Sequence, residues 1–295
     1  MCERGDKMLR YLFLSLLFIC APALAAGERL LFYKLGKADA EVYLLGSMHL
    51  ARGDIYPLRA GIMQAFAGAE TLAVELDISA GNQLQIQQMI LARGSYPAGE
   101  SIRDHLSATT WRSLQHYLSD TGLPTQMLER MRPGLLVTTL STLEMMKLGL
   151  SPELGIDRYF LEQARGQKNI HEMETIEQQI GLLLDFPQED LLVRQTLAQL
   201  ENMADIMDEL VSAWKRGDAP ALKKLLLDDE LAKNPEFRSV YERMFDQRNR
   251  AMTTQVEGFL RSSGRYFVVV GAGHLVGDQG IISLLEKKGY APLQL

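Results

Sequence analysis

Two histidines near opposite ends of the chain occur in the same pattern, a glycine followed three residues later by a histidine. The pattern appears as GSMH, Gly46 to His49, and as GAGH, Gly271 to His274. Each copy follows a short apolar run of the kind that forms a buried strand. Imidazole nitrogens bind divalent first-row metals and exchange protons near neutral pH. The repeated spacing therefore predicts one site built from both ends of the chain.

Two glutamates occupy comparable positions at the ends of other predicted strands. Glu75 ends the short apolar run TLAVE, and Glu174 follows the run NIHEM. In open α/β sheets, ligands bind beyond the carboxyl ends of parallel strands, where the loops leave the sheet. If the four strands are neighbours, the imidazoles of His49 and His274 and both carboxylates converge at one edge of the sheet.

This set of side chains suits a divalent metal ion. Two histidines with one or two carboxylates bind zinc, manganese, iron or cobalt and leave a coordination position open for water. The metal lowers the pKa of that water from about 15.7 towards about 7. A nearby carboxylate that does not bind the metal can then take the proton. The pattern thus favours metal-assisted chemistry with water as the nucleophile.

The glycines of the two motifs have a predicted structural role. Gly46 and Gly271 would let the backbone turn sharply where a strand ends, because they carry no Cβ atom. Gly273, directly before His274, would leave room for a ligand to approach the backbone. Together these turn glycines would aim each histidine back over the edge of the sheet.

Each polar residue also has a purely structural interpretation. A histidine after a strand is more often a loop cap or a buried hydrogen-bonding group than a metal ligand. Glu75 could face solvent at the end of its strand. Glu174 could cap the helix predicted for TIEQQI, because negative charge is favourable at a helix N-terminus. The matched Gly-x-x-His pair favours a functional site over four unrelated structural roles.

The order of apolar runs and helical periodicities predicts an α/β fold. LLFYKL and EVYLLG flank GKADA as a β-hairpin, and the next helix, PLRAGIMQAFAGA, has Pro57 in its first turn. TLAVELD is a strand expected to pair in parallel with the second hairpin strand, since a helix connects them. KNIHEM, RYFVVVG and YAPLQL supply further strands. The remaining segments show helical periodicity, including two long helices, QEDLLVRQTLAQLENMADIMDELVSAWKRGD and PEFRSVYERMFDQRNRAMTTQVEGFLRSSG.

These elements predict a central mixed, partly parallel sheet built from both chain ends. A large helical insertion, about residues 100–262, forms a cap over it. Within this insertion, Ser107 is a predicted helix cap and Gly122 a helix stop. No linker rich in Pro, Gly or Ser divides residues 26–295, so we predict a single domain.

The N-terminus has the features of a signal peptide, residues 1–25. Lys7 and Arg10 precede an apolar run that ends in ALA, which fits a cleavage site. An uncleaved membrane anchor is the alternative, but the run is short for a helix that needs about 20 apolar residues. Both cysteines, Cys2 and Cys20, lie in this segment, so the mature chain would contain neither disulfides nor thiolate chemistry.

The net charge and the hydropathy of the chain indicate which kinds of partner are not expected. The chain has a net charge of −6 and no basic cluster after the N-terminus, so a nucleic-acid partner is not expected. No second segment is long and apolar enough to cross a membrane. Together with the predicted signal peptide, this favours a periplasmic or secreted protein.

The chain resembles the TraB/PrgY/GumN family, which includes the TIKI proteases. The resemblance covers nearly the whole mature chain and depends on ordered blocks: YLLGSMHL, AVELD, RPGLLVTTL, GIDRYF, METIEQQ, AWKRGD, DQRNRAM and VVGAGHLVGDQG. It implies a fold similar to the erythromycin-esterase/ChaN group. For the TIKI branch it implies a metal-dependent peptidase that uses manganese- or cobalt-like ions.

The resemblance also implies roles for individual residues. His49, His274, Glu75 and Glu174 match the paired histidines and the glutamates of the family pattern, and Arg248 and Asn249 match an RN pair in a late helix. Arg248 could hold a substrate carboxylate or orient one of the glutamates. The sequence departs from the family at His171 and Glu172, where neutral residues are usual, so either could join or disturb the site.

Residues and resemblance together predict an exported metal-dependent hydrolase, a peptidase with His49, Glu75 and His274 as metal ligands. Glu174 would be a further ligand or the general base, with Arg248 and Asn249 in the catalytic set. The expected cofactor is a divalent manganese, cobalt or zinc ion. The alternative is an exported protein that binds and sequesters a peptide or haem without catalysis, since histidines also ligate haem iron.

Overall fold

In the computed structural model, residues 30–78, 80–186 and 188–295 are described, and their strands form one mixed sheet. The strands are β1 (Phe32–Lys37), β2 (Ala40–Ser47), β3 (Thr71–Val74), β4 (Asn169–Glu172), β5 (Gly264–Gly271) and β6 (Leu293–Gln294). Their order across the sheet is β4-β3-β5-β2-β1-β6. The predicted mixed sheet built from both chain ends is confirmed. The predicted signal peptide, residues 1–25, lies outside the described residues.

Strand β5, from the C-terminal part of the chain, lies between β2 and β3 and is parallel to both. β4 is parallel to β3, whereas β1 is antiparallel to β2 and β6. The expected direct pairing of β2 with β3 is therefore wrong, although the two strands do point the same way. The hairpin turn is also tighter than GKADA, because the strands pair as far as Lys37 and Ala40.

Helices connect the strands and fill the middle of the chain. Their bounds are α1 (Ala60–Gly68), α2 (Ala80–Gly94), α3 (Ala108–Thr121), α4 (Thr125–Leu128), α5 (Pro133–Lys147), α6 (Ile156–Ala164), α7 (Ile176–Leu184), α8 (Glu189–Leu200), α9 (Met203–Lys215), α10 (Ala219–Lys223), α11 (Asp229–Lys233), α12 (Arg238–Tyr241), α13 (Gln247–Arg261), α14 (Ala272–Leu275) and α15 (Ile281–Lys287). Two π-helical segments, Lys224–Asp228 and Glu242–Asp246, interrupt the later helices. No helix among the described residues is long and apolar enough to cross a membrane.

Capping residues close in sequence determine where helix α3 begins and ends. The Ser107 side chain accepts a hydrogen bond from the Thr110 N–H at the start of α3, and Gly122 ends that helix at φ +69°. Both signals were predicted. Helix α1, by contrast, begins at Ala60, so Pro57 is not in its first turn.

The predicted long helices are divided, and the long helix α2 was not predicted. Helices α8 and α9 separate at residues 201–202, where Asn202 leaves the helical region at φ −113° and ψ 15°. Asparagine competes with the helix by bonding to nearby backbone groups. The late helix contains the π-helical segment Glu242–Asp246 before α13 begins. Helix α2 is rich in glutamine and largely exposed, so it lacks the apolar periodicity that would have indicated it.

Two groups of buried apolar side chains stabilise these layers. The first surrounds the sheet, where Phe66, Phe160 and Phe267 contact one another with ring centroids 4.8–5.4 Å apart. The second lies among α3, α5 and α8 and includes Leu114 and Leu136. The helical part of the chain therefore has apolar packing of its own beside the sheet that carries the predicted site.

Substituting Gly134 by alanine tests the close contact between α5 and α7. A Cβ atom at this position would meet the backbone of α7, including the carbonyl oxygen of Leu183 and, at 2.8 Å, the Cα of Leu184. Backbone atoms cannot rotate away, so we expect a loss of about 1–3 kcal/mol in the free energy of unfolding. The control is Gly258→Ala in α13, where nothing lies within 4 Å. Urea unfolding that gives equal midpoints for both variants would contradict this packing.

Candidate active site

Four of the predicted polar side chains lie at the same edge of the sheet. β4, β3, β5 and β2 are consecutive neighbours and run parallel, so their carboxyl ends are adjacent. His49 follows β2 by two residues, Glu75 directly follows β3, Glu174 follows β4 by two residues, and His274 lies in α14 directly after β5. The arrangement is the one that parallel strands create for ligands.

The side chains converge above Gly271, the last residue of β5. A methyl group placed on Gly271 would lie 3.3 Å from Glu75 Oε1, 3.5 Å from His49 Nε2 and 3.6 Å from His274 Cδ2. A single atom in this space, which we call the convergence point, would therefore contact three of the predicted site residues. Histidines more than 220 positions apart in the chain thus share one small polar space.

A buried ion network holds the two glutamates. Arg248 donates from Nη2 to Glu75 Oε2 at 2.6 Å, and from Nε and Nη2 to the two oxygens of Glu174 at 2.6 and 2.7 Å. Gln179 donates to both carboxylates, at 3.2 Å to Glu75 and 2.6 Å to Glu174. Bidentate pairing with a guanidinium fixes both the position and the plane of a carboxylate. Arg248 therefore orients both glutamates, as one of the two roles predicted for it.

Glu75 is held ionised at the convergence point. Burial by itself would raise the pKa of Glu75, but its electrostatic interactions with His274, His49 and Arg248 and the hydrogen bond from the Gly271 N–H outweigh burial and lower the pKa to about 2. The Gly271 N–H donates to Oε1 at 2.6 Å. A carboxylate oxygen with remaining acceptor capacity thus faces both imidazoles.

A buried carboxylate of α6, Asp157, positions His49. Asp157 Oδ2 lies 2.8 Å from His49 Nδ1, and its other oxygen accepts a hydrogen bond from the Ser47 hydroxyl. The negative charge of Asp157 raises the pKa of the His49 imidazole. With Nδ1 occupied, the second ring nitrogen, Nε2, points to the convergence point above Gly271. The imidazole is 61% exposed, so it is accessible to a ligand.

His274 is held in an equivalent way by Asn249. Its Nδ1 lies 2.6 Å from Asn249 Oδ1, and Asn249 Nδ2 donates to the Gln279 carbonyl oxygen, which fixes the orientation of the amide. Burial lowers the pKa of His274 to about 4, so the neutral ring donates from Nδ1 and keeps a lone pair on Nε2. That nitrogen lies 3.7 Å from Glu75 Oε1. Asn249 is therefore a positioning residue of the site.

Asp157 and Gln179 belong to the site but were not singled out from the sequence. Asp157 shares a face of α6 with the buried residues Phe160, Leu161 and Ala164. A carboxylate at a core-facing position of an amphipathic helix requires a partner, and this signal could have identified it. Gln179 carries no such signal, because a glutamine on a half-exposed helix face is common.

His171 and Glu172, which depart from the family pattern, contact other parts of the molecule. His171 Nε2 lies 2.9 Å from Gln255 Oε1, and its ring packs edge-on against Phe259. Glu172 accepts a hydrogen bond from the Asp77 N–H. Both residues are exposed and help to pack the outer strand β4.

The chain leaves the sheet at Gly271, which ends β5 directly before α14, as predicted, whereas the turn predicted at Gly46 is wrong. Gly46 lies inside β2, and none of Gly46, Gly271 and Gly273 adopts a positive φ. They are required for space instead. A Cβ on Gly46 would overlap the Leu31 side chain, and one on Gly273 would lie 2.8 Å from the Phe245 ring. Gly271 leaves open the convergence point itself.

The donor atoms are of types that bind divalent ions, although Asp157 favours the protonated form of His49, which would have to release its Nε2 proton to bind one. Each histidine binds a neighbour through Nδ1 and presents Nε2, which is the way metal-ligating histidines are usually held. Glu75 Oε1 and the lone pair of His274 Nε2 face each other at 3.7 Å, an arrangement of two acceptors that a cation between them would stabilise. Among residues 30–78, 80–186 and 188–295, however, no group of three His, Cys, Asp or Glu side chains is already arranged to hold a metal.

A mainly apolar cleft of about 380 Å³ opens beside the convergence point, and we call it the site cleft. Its polar end contains His49, Arg248 and His274, and its apolar walls include Trp214. The Trp214 indole N–H donates to the Gly46 carbonyl oxygen at 2.7 Å, which fixes this wall to β2. The volume is typical of a pocket for a small ligand.

The fold and site define an α/β protein with two strand-end histidines and a buried carboxylate–arginine network. The chain belongs to the TraB/PrgY/gumN family, whose model matches residues 31–293. This confirms the resemblance that the sequence blocks indicated.

Similar proteins occur in bacteria and in an animal. The chain is 29% identical to the uncharacterized protein YbaP of Escherichia coli (strain K12), over 83% of this chain and 87% of YbaP. It is 22% identical to an uncharacterized protein of Treponema pallidum (strain Nichols), over 90% of this chain and 83% of that protein. It is 24% identical to the metalloprotease TIKI1 of Danio rerio, over 86% of this chain but 61% of TIKI1. No solved structure gives a significant match.

Proposed function

We propose that the chain is an exported, metal-dependent hydrolase that acts as a peptidase on peptides or other small exported substrates. One observation carries the proposal: two imidazoles, each anchored through Nδ1, present their other edge to the Glu75 carboxylate around the space above Gly271. The similarity to a protein named metalloprotease TIKI1 supports the same class of reaction. Export is proposed from the features of residues 1–25.

In this proposal, His49 Nε2, His274 Nε2 and Glu75 Oε1 would hold the ion, which is manganese, cobalt or zinc. A bound divalent ion supplies Lewis-acid chemistry, polarising a carbonyl group and making water acidic enough to ionise near neutral pH. Asp157 and Asn249 hold the imidazoles in place. Glu174 acts through Arg248, because both of its oxygens already accept hydrogen bonds from Arg248, and one also from Gln179.

The site cleft supports a substrate that enters from one side of this polar group. Its apolar walls exclude water from the end that contains His274, which is only 4% exposed. Electrostatic interactions are stronger where water is excluded. A carbonyl carbon placed above Gly271 would therefore lie among fixed dipoles and charges instead of solvent, the arrangement that stabilises charge developing in a transition state.

The test is hydrolysis of a peptide library by the purified protein, read by mass spectrometry with and without a chelator. We expect cleavage that chelation abolishes and that manganese, cobalt or zinc restores, together with a bound divalent ion in elemental analysis. The doubly substituted His49→Ala/His274→Ala protein should neither bind metal nor cleave. Cleavage that persists in this variant, or in chelator, would rule the proposal out.

Substituting Asp157 by asparagine tests how His49 is held. An amide keeps the shape of the side chain, but Ser47 and His49 bond different oxygens of Asp157, and the amide replaces one of these acceptors by an NH2 donor. Loss of such a supporting hydrogen bond typically costs about 10–100-fold in metal affinity or activity, and we expect a loss in that range. The control is Glu162→Gln on the same helix, whose partner Arg158 is exposed. Metal titration of both proteins by calorimetry gives the comparison.

A second function, peptide binding without cleavage, is favoured by one observation. Glu75 and Glu174 are already bonded to Arg248, Gln179 and the Gly271 N–H, and no ready metal-ligand group exists in the described part of the chain. A site tied in this way could hold a peptide carbonyl without activating water. Recovery of bound peptides intact, with no metal in the purified protein, would establish this function and exclude the hydrolase.

A further inference from the structure

A second cavity adjoins the site cleft and is larger. It measures about 500 Å³ and lies between α5, α7 and α8 on one side and the segment 226–245 on the other. The two cavities share the lining residues Leu50, Met145, Leu226, Met244 and Phe245. They are therefore adjacent compartments that meet at these five residues.

The boundary between the two cavities consists of side chains that can change conformation, and it lies next to His274. Leu226 belongs to one π-helical segment, and Met244 and Phe245 belong to the other. π-Helical turns occur frequently at functional sites. The Phe245 ring contacts the His274 ring with centroids 5.4 Å apart. Methionine adapts to ligands of different shape because it is unbranched and polarizable. A chain bound at the convergence point could thus continue past this boundary.

The lining of the second cavity determines what it can bind. None of its lining residues within the described chain carries a charge, and most are apolar, including Val137, Phe186 and Phe237. Burying a charged side chain there would leave it without a partner, which is strongly unfavourable. Arg248, at the polar end of the site cleft, already donates to Glu75, Glu174 and the Met244 carbonyl oxygen. Arg243 lies over the ring of the lining residue Phe186 and donates to the Asp185 carbonyl oxygen. The cavity therefore selects large uncharged side chains.

Polar groups on the same walls distinguish a peptide from a hydrocarbon chain. Ser141 and Thr142 of α5 and Gln195 of α8 line the cavity with hydroxyl and amide groups, and all three are half-buried. An extended peptide offers an N–H and a C=O group at every residue, which such side chains can bond. An acyl chain offers neither and would leave them desolvated at a cost.

We propose that the second cavity is the specificity pocket of the site, and that it binds large apolar side chains of an extended peptide whose backbone passes through the site cleft. The inference rests on the proposed function, because it names residues that would determine which substrate the hydrolase cleaves. It makes Ser141, Thr142 and Gln195 specificity-determining positions. Binding itself does not depend on hydrolysis and can be measured separately.

The experiment measures binding of short fluorescent peptides by anisotropy, in the presence of chelator so that metal-dependent cleavage is suppressed. The peptides are identical except at two central positions, which are Leu-Phe, Ser-Asn or Glu-Lys. We expect the Leu-Phe peptide to bind about tenfold or more tightly than the other two, since it buries two large apolar side chains. Equal binding of the three peptides, or no binding, would overturn the proposal.

Substitutions in α5 locate the binding. Ser141→Phe fills the cavity, so we expect it to remove the preference for the Leu-Phe peptide. Ser141→Asp introduces a charge, so we expect it to weaken Leu-Phe binding and improve Glu-Lys binding. The control is Met146→Phe on the same helix, which is 49% exposed and lines neither cavity. Unchanged selectivity in both Ser141 variants would show that the peptide binds elsewhere and overturn the assignment.

Two further measurements separate this inference from the proposed function and from lipid binding. His274→Ala should lose metal and cleavage but keep the Leu-Phe preference. If the unsubstituted protein prefers the Leu-Phe peptide but cleaves nothing, the hydrolase proposal is wrong and the specificity pocket is supported. If it cleaves peptides without this preference, the specificity pocket is wrong and the hydrolase proposal is supported. A long-chain fatty acid that displaces the Leu-Phe peptide at lower concentration than unlabelled peptide would overturn the peptide assignment.

Discussion

Replacing Gly271 by alanine is expected to abolish metal binding and hydrolysis while the fold stays intact. The added methyl group would occupy the convergence point, 3.3–3.6 Å from Glu75, His49 and His274. The distances to the two histidines are ordinary contacts, whereas the 3.3 Å approach to Glu75 Oε1 is tight and requires a shift of a few tenths of an ångström. The backbone at φ −52° and ψ 139° suits alanine. The substitution therefore removes the space for a ligand with only a small adjustment of its walls.

The magnitude follows from the position of the methyl group. Misplacing reacting groups by about 1 Å can cost about 100-fold in rate, so we expect at least about a 100-fold loss in peptide cleavage. The free energy of unfolding should change by no more than about 1 kcal/mol, because only Glu75 has to shift slightly and no backbone atom is overlapped. Activity assays, metal analysis and urea unfolding of one preparation give all three quantities.

The matched control is Gly36→Ala in β1 of the same sheet. Its Cβ would have one neighbour within 4 Å, the Ala40 carbonyl oxygen at 3.7 Å, so neither activity nor metal content should change. If Gly271→Ala binds metal as tightly as the unsubstituted protein, the ligand does not lie above Gly271, and the arrangement proposed for His49 and His274 is wrong.

Replacing Arg248 by methionine is expected to cause a large loss of stability. The substitution leaves the Glu75 and Glu174 carboxylates, whose side chains are each only 8% exposed, without their guanidinium partner. Removing one member of a buried ion pair typically costs about 3–5 kcal/mol, because the remaining charge is desolvated and unpaired. We expect a decrease of that size in the free energy of unfolding, measured in urea.

Two controls separate the buried network from charge removal in general. Arg261→Met removes another arginine from α13, but Arg261 is 67% exposed and its partner Glu257 also pairs with Lys288. Because Arg261 is exposed and Glu257, although buried, keeps Lys288 as a partner, we expect the loss of this pair to cost about 0–1 kcal/mol. Adding Glu174→Gln to the Arg248→Met protein should recover part of the lost stability, since it removes one unpaired charge. Similar losses for Arg248→Met and Arg261→Met would show that the network does not stabilise the fold.

Much of the site was predictable because strand ends and helix caps are local properties. The apolar runs before Gly46 and Gly271 indicated β2 and β5, and parallel strands place the residues that follow them at one edge. The same reasoning located Glu75 and Glu174. Ser107 and Gly122 bounded α3 correctly because capping depends on neighbours only a few residues away.

Other features were not predictable because they depend on which elements pack together. Nothing in the runs TLAVE and EVYLLG shows that β5 inserts between β3 and β2. The close neighbours of Gly46 and Gly273 were not predictable for the same reason. The Leu31 side chain, from the residue just before β1, occupies the space beside Gly46. The Phe245 side chain, from the π-helical segment Glu242–Asp246, occupies the space beside Gly273.

The sequence by itself determined which side chains could do chemistry and at which strand ends they stand, because those facts depend on residue type and short-range periodicity. The tertiary structure decided which groups hold them. The partners Asp157 and Ser47 are 110 positions apart, and Arg248 and Glu75 are 173 apart. Contacts over such separations are specified by the packing of whole elements, and no local pattern encodes them.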